Sequence, residues 1–173
     1  MHLNNYTQKS LEAVQSAQAI AVQNSHQQLE QIHLLLALLR QEGGLIPQLL
    51  RKMEITLESL EAAAVAELRK IPSVKTSREA ERFYISSDVD AVFSAAEDQA
   101  KFMKDEFVSV EHLFLALLES ARGGIKNLLD TYRITKEGAL KARQTVRGNQ
   151  RVTSDSPEGT YDALEKYGSD LVK

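Results

Sequence analysis

Apolar residues recur along this chain at the three- and four-residue spacing of amphipathic helices. A first stretch with that spacing contains Leu11, Val14, Ala17, Ala21 and Val22. A later stretch repeats it with Val89, Val92, Phe93, Ala96, Ala100 and Met103. The alternation of apolar and polar residues that indicates β-strands does not occur. The pattern therefore predicts an all-α protein.

A short apolar motif occurs twice, and the distance between its copies defines an internal duplication. His33-Leu-Leu-Leu-Ala-Leu-Leu39 returns as His112-Leu-Phe-Leu-Ala-Leu-Leu118, an offset of 112 − 33 = 79 positions. The same offset relates Ile55-Thr56 to Ile134-Thr135, and no gap is needed in between. Solenoid repeats are shorter, at roughly 20–50 residues. The duplication therefore predicts two structural units rather than a stack of short repeats.

Each copy is predicted to contain four helices, of which the motif forms the second. Ser109 is suited to be the N-cap of the second copy's motif helix, with Glu111 in the first turn. Glycine pairs follow both motifs and are expected to end these helices, because glycine adopts the left-handed geometry of a C-cap. The pairs are Gly43-Gly44 and Gly123-Gly124. The third helices are expected at Leu45–Lys52 and Ile125–Thr131, and the fourth helices after the capping residues Thr56 and Thr135.

The predicted organisation is one domain over residues 1–147, made of two pseudo-symmetric four-helix repeats. The repeats cover about residues 6–70 and 85–147, joined by an ordered connector at Ile71–Ser77. Residues 148–173 begin with a segment rich in Gly, Ser, Asn and Asp, which is typical of a mobile linker. A short C-terminal helix is expected after Ser156, with Pro157 at its first position. A lone helix after a linker suggests a piece of a longer protein.

Composition narrows the class of protein. A net charge of −3 and a pI near 5.8 argue against a nucleic-acid partner, since such proteins usually carry a basic face. No apolar run approaches the roughly 20 residues of a membrane span, and the N-terminus lacks the features of a secretory signal. The chain has no cysteine, which excludes disulfides and sulfur-bound zinc. The expectation is a cytoplasmic protein without nucleic-acid or membrane partners.

Candidate chemistry is sparse. His33 and His112 recur, but each stands alone among leucines, so a structural role that ties down a neighbouring loop is favoured over metal binding or catalysis. His2 and His26 belong to no recognisable pattern. The absence of any Gly-Lys pair excludes a phosphate loop, so this chain is not expected to bind ATP. We expect no catalytic site, metal or cofactor in it.

One acidic segment leaves two interpretations open. In Asp105-Glu106-Phe107 an aromatic residue follows two acids at a loop between helices. The acids are expected to be solvated. The segment is either a recognition loop or a plain turn with one buried phenylalanine.

The doubled unit, its motif and the tail together resemble the N-terminal (Clp repeat) domain of the ClpB family of bacterial AAA+ disaggregases. The resemblance covers essentially the whole chain, and Leu38–Gly44 and Gln150–Leu171 are its most specific segments. The protease-linked ClpA and ClpC chaperones carry a similar doubled domain with different linkers.

This resemblance implies a domain that binds unfolded or aggregated polypeptides and passes them to an ATPase ring. The substrate-binding positions that it implies are Thr7, Phe93, Asp105, Glu111, Ala95, Gln99 and His112. Relatives often carry leucine at the last three, so the groove here is expected to be less apolar. Phe93 matches an exposed position, although its place in a helical apolar stripe also suits a core residue. Alanine variants of Asp105 and Glu111 are expected to bind clients weakly while keeping a near-native melting temperature.

The resemblance also implies partners beyond this chain. The fragment is expected to be monomeric and free of cofactors, whereas the full-length protein would bind ATP and magnesium. That full-length protein is expected to form a homohexamer that cooperates with the DnaK chaperone system. The alternative is an adaptor-docking domain of the ClpA or ClpC type. A stand-alone enzyme has no supporting residues.

Overall fold

The computed structural model describes residues 3–74 and 84–147. These ranges contain eight α-helices and two very short strands, which confirms the predicted all-α class. The helices of the first repeat are α1 (Gln8–Gln23), α2 (Gln31–Arg40), α3 (Leu45–Lys52) and α4 (Leu57–Leu68). Those of the second repeat are α5 (Ser87–Phe102), α6 (Val110–Ser120), α7 (Gly123–Thr131) and α8 (Lys136–Arg147).

The offset of 79 positions is visible in the helix bounds and in the turns. It carries both ends of α1 onto those of α5, and both ends of α4 onto those of α8. Four residues other than glycine have a positive φ, and the same offset pairs them: Ser25 with Lys104, and Glu54 with Arg133. The two repeats therefore share their backbone turns as well as their helices.

The two motif helices form the centre of the fold. Gln31–Leu39 of α2 and Val110–Leu117 of α6 are buried throughout, as expected of helices surrounded by other helices. α2 contacts α6, while α3 contacts α8 and α4 contacts α7. The buried apolar residues of both repeats consequently belong to one cluster.

Two short backbone pairings add further contacts between the repeats. β1 (Gln28–Leu29) pairs in parallel with β2 (Tyr84–Ile85), with Leu29 opposite Ile85. An isolated parallel bridge joins Tyr6 to Val108. Under the offset Leu29 corresponds to Val108 and Ile85 to Tyr6, so the two pairings are equivalent. Each joins the segment before one repeat's first helix to the loop after the other repeat's first helix.

The glycine pairs do not end the motif helices, and that prediction is wrong. α2 ends at Arg40 with an extended C-cap at Gln41, and α6 likewise ends before an extended Ala121. An extended C-cap needs no left-handed residue. The glycines instead lead into the next helices, since Gly44 is the N-cap of α3 and Gly123 begins α7.

The predicted N-cap at Ser109 is confirmed. The predicted linker and C-terminal helix lie outside the described residues, as does the later part of the predicted connector. The domain boundary at residue 147 stays a prediction.

Candidate functional site

Phe93 belongs to the core. Its side chain is 1% exposed, and its ring meets that of Tyr6 edge-on with the centroids 6.2 Å apart. It lies on the apolar stripe of α5, and α5 packs along α6. The exposed position implied by the resemblance is therefore wrong for Phe93, and the alternative of a core residue is confirmed.

His112 ties the start of α6 to the preceding loop. Its Nδ1 accepts the backbone N–H of Ser109 at 2.9 Å, so in the neutral ring the proton lies on Nε2. Nε2 then donates to Asp105 Oδ2 at 2.8 Å. The residue is fully buried and does not line a groove. This arrangement is the predicted structural role of a histidine near a helix start.

Asp105 and Glu111 face inward and bind one arginine. Both side chains are 1% exposed. Arg143 Nε donates to Glu111 Oε2 at 2.5 Å, and its Nη2 lies 3.6 Å from Asp105 Oδ2. Ser109 Oγ donates to the other Glu111 oxygen at 2.8 Å. We call Arg143, Asp105, Glu111, Ser109 and His112 the Arg143 network.

The solvated position predicted for Asp105 is thus wrong, whereas its neighbour Glu106 is exposed as predicted. The physical reason is Arg143, which comes from α8, far along the chain from the loop. The burial of this ion pair argues that alanine at Asp105 or Glu111 lowers the melting temperature, rather than leaving it near-native as expected from the sequence. Removing one partner of a buried ion pair typically costs about 3–5 kcal/mol.

Thr7 is buried at the start of α1, close to the same loop. It is the N-cap of α1, and its Oγ1 accepts the backbone N–H of Ser10 at 3.2 Å. The Thr7 backbone N–H donates to the Val108 carbonyl at 2.9 Å. Thr7, Asp105, Glu111 and His112 are therefore brought together around the α5–α6 loop, but none of these side chains faces solvent.

Ala95 and Gln99 lie elsewhere, in a surface groove of about 410 Å³. The groove runs between α5, the end of α6 and α8. Its apolar lining consists of Ala95, Phe102, Met103 and Leu140, and its polar lining of Asp98, Gln99, Glu119 and Lys136. Phe102 is 85% exposed, which is uncommon for a large aromatic side chain. This set of eight residues is called the groove below.

Hydrogen bonds organise one polar edge of the groove. Glu119 Oε2 accepts from Lys136 Nζ at 3.2 Å and from Gln99 Nε2 at 2.8 Å. These two bonds lower the pKa of Glu119, and the bond from Lys136 has the larger effect. The carboxylate stays charged at neutral pH and links Lys136 of α8 to the end of α6.

Reasoning from the sequence missed Phe102, Met103, Leu140 and Arg143. Phe102 could have been found from the helical spacing, because it falls on the face of α5 opposite the buried stripe.

His26 was missed too: its Nδ1 lies 2.8 Å from His33 Nε2. The offset of 79 carries His26 onto Asp105 and His33 onto His112, so the duplication itself pointed to this pair.

A second cavity, of about 360 Å³, lies where the two repeats meet. It is lined by residues at or next to the start of α2, the end of α4 and the start of α7, and by Asp88 of α5. Its charged lining residues form two ion pairs, one between Lys70 and Glu67 and one between Arg122 and Asp88. This cavity has charged walls and no exposed aromatic residue among those that line it.

Residues 3–74 and 84–147 contain no group of three or more histidine, aspartate or glutamate side chains that could hold a metal ion. None of the helices described here has the length and apolar character needed to cross a membrane.

Comparison with known proteins identifies the family. The pattern of the Clp repeat (R) N-terminal domain matches residues 5–132. The chain belongs to this family. A chaperone protein ClpB from Bacillus cereus is 44% identical over 173 residues, covering 99% of this chain and 20% of that protein. The chain thus spans about a fifth of the length of such curated relatives.

Solved structures of other Clp N-terminal domains share the fold. The Hsp104 N-terminal domain from Candida albicans superposes with a TM-score of 0.77 at 23% identity, covering 88% of this chain and 98% of that one. The N-terminal domain of the ClpV1 ATPase from Escherichia coli gives a TM-score of 0.70 at 21% identity, with 90% and 92% covered. At these identities the likeness concerns the fold alone.

Proposed function

We propose that this chain is the client-binding N-terminal domain of a ClpB-type protein disaggregase. The similarity to a ClpB chaperone continues through the residues after 132, where the match to the family pattern ends. The ATPase ring, with its ATP and magnesium, lies outside this chain in the proposal. So do assembly into a homohexamer and cooperation with the DnaK system.

The groove carries the proposal. A site that accepts many unrelated unfolded chains cannot depend on a fixed set of hydrogen bonds, so it should offer apolar and adaptable contacts. Phe102 offers an exposed aromatic surface, and Met103 adds a flexible thioether that fits irregular partners. A contiguous exposed apolar patch on a folded domain typically marks a place where a partner binds, and Ala95, Phe102, Met103 and Leu140 line one groove together.

The charges around the groove favour one kind of client segment. Asp98 and Glu119 contribute two carboxylates to the lining, and Lys136 contributes one ammonium group that already bonds Glu119. An extended segment with apolar residues next to lysine or arginine would complement this edge. The groove therefore suits sequences of mixed apolar and basic character.

Replacing Phe102 with serine tests the proposal. Burying a phenylalanine side chain contributes about 1.5–3 kcal/mol, which corresponds to roughly tenfold or more in affinity. We expect Phe102→Ser to weaken binding of a labelled, permanently unfolded protein by at least that factor, measured by fluorescence anisotropy. Val22→Ser is the matched control, because Val22 is also exposed but lies on α1, away from the groove. Equal affinities of both variants and the parent would contradict the proposal.

A further inference from the structure

We propose that Arg143 is a positioning residue for client binding, which fixes α8 to the loop that follows α5 and so sets the spacing of the two sides of the groove. One side is α8, which carries Lys136 and Leu140; the other is the end of α5 with Phe102 and Met103. The inference rests on the proposed function, since it concerns how the same groove is held in shape. Arg143 does not line the groove.

Arg143 lies on α8, and its contacts are with the α5–α6 loop and the first turn of α6. Its side chain is 13% exposed and bonds Glu111 in the first turn of α6. It also pairs with Asp105, which follows Met103 by two positions in the α5–α6 loop. On α8, Leu140 and Arg143 are three positions apart and so lie on the same helix face. One guanidinium thus fixes α8 relative to the loop that carries Met103.

The first repeat provides an internal comparison. At the positions equivalent to Arg143, Glu111 and Asp105 it has Ala64, Ile32 and His26, so the ionic network cannot form there. The residues of the groove also differ from their equivalents in the first repeat. The positions equivalent to Phe102, Met103 and Leu140 hold Gln23, Asn24 and Glu61. The repeat with the arginine network is the repeat with the apolar groove, while the core helices are alike in both.

Arginine is suited to this task and lysine is not. A guanidinium presents several N–H donors in a rigid plane, so it can bind two carboxylates at once. A lysine ammonium would keep the charge but would serve mainly one of them. Arg143→Lys therefore weakens the connection between α8 and the loop without leaving both carboxylates unpaired.

The test measures both the affinity for an unfolded protein and the NMR resonances of two groove residues. In the full chain, we expect Arg143→Met to weaken binding of the unfolded protein by about tenfold and Arg143→Lys by a smaller factor. The methyl NMR resonances of Leu140 and Met103 should shift in both variants. Lys141→Met removes a cation from the exposed side of α8 and should change neither result.

A second control separates positioning from general stability. Val14→Ala destabilises the core from α1, and at a temperature where it is folded it should bind like the parent. Arg143 variants that fold, bind like the parent and leave the Leu140 and Met103 resonances in place would overturn the inference. Failure of both Arg143 variants to fold would also overturn it, because the residue would then support the whole fold.

The outcome for Phe102→Ser distinguishes the two proposals. If Phe102→Ser binds like the parent, the groove is not the client site and the proposed function fails. If Phe102→Ser weakens binding while the Arg143 variants do not, the proposed function stands and only the positioning role is wrong.

Discussion

Two phenylalanines on one helix have opposite roles. Phe93 and Phe102 both lie on α5, yet Phe93 packs on Tyr6 in the core whereas Phe102 is almost fully exposed. They are nine residues apart, which is two and a half helical turns, so they point to opposite faces. Burial makes Phe93 a determinant of stability, and exposure makes Phe102 a candidate for contact with clients.

Truncating Phe93 should therefore destabilise the fold. Phe93→Ala leaves a cavity beside Tyr6, and such changes typically cost about 3–5 kcal/mol in the free energy of unfolding. Phe102→Ala, the matched change on the same helix, should stay within roughly 0.5 kcal/mol of the parent. Urea denaturation measures both. Similar losses in the two variants would show that the assigned exposures are wrong.

The sequence predicted some residue roles and could not predict others. The helical stripe of Val89, Val92 and Ala96 already suited a buried Phe93, which the structure confirms. The partner of Glu111 could not be found in the same way, because Arg143 is 32 positions away and no local spacing connects them. Ion pairs between distant helices depend on packing, which a single sequence does not display.

In each repeat, the loop after the first helix is hydrogen-bonded to the histidine of the motif helix, but the loop residue differs between the repeats. In the second repeat His112 donates to Asp105. In the first, His33 Nδ1 accepts the Glu30 N–H at 2.8 Å, so its Nε2 donates to His26. Burial, together with the neighbouring His26, lowers the pKa of His33 to about 4, and burial also lowers the pKa of His26.

These shifts predict that acid destabilises the first repeat. A histidine with a folded-state pKa below its ordinary 6.5 binds protons more readily when unfolded. Its stabilising effect is complete above pH 6.5 and is lost as the pH falls towards 4. His26→Asp copies the second repeat's pair, and the carboxylate should raise the pKa of His33.

We therefore expect His26→Asp to lose less stability than the parent on acidification. Urea denaturation between about pH 7 and pH 5 gives the two slopes. The two proteins share every other titratable group, so the difference between the slopes reports this pair. Equal slopes would show that the His26–His33 contact does not control the acid response.

Helices were easier to predict than the segments between them. The bounds of α3 agree with the predicted Leu45–Lys52, because its apolar spacing and flanking residues are local signals. The ends of α2 and α6 were mispredicted, since an extended C-cap at Gln41 or Ala121 has no distinctive residue type. Strands of two residues, such as β1, are too short to produce an alternating pattern.

For the whole molecule, the duplication preserves the core and leaves the surface free to diverge. The motif helices α2 and α6 are buried in equivalent ways, and the turns match in backbone geometry. The apolar groove and the Arg143 network occur in the second repeat alone among the described residues. The fold could be predicted from the positions that the copies share, whereas the groove depends on positions where they differ.

An NMR titration of the chain with a permanently unfolded protein shows directly whether clients bind in the groove. We expect the largest shifts to cluster at Ala95, Gln99, Phe102, Met103 and Leu140. The equivalent surface of the first repeat, around Ser16 and Gln23, should stay unchanged. Shifts that instead cluster at the cavity between the repeats, around Ile71 and Ile125, would contradict the assignment of the groove as the client site.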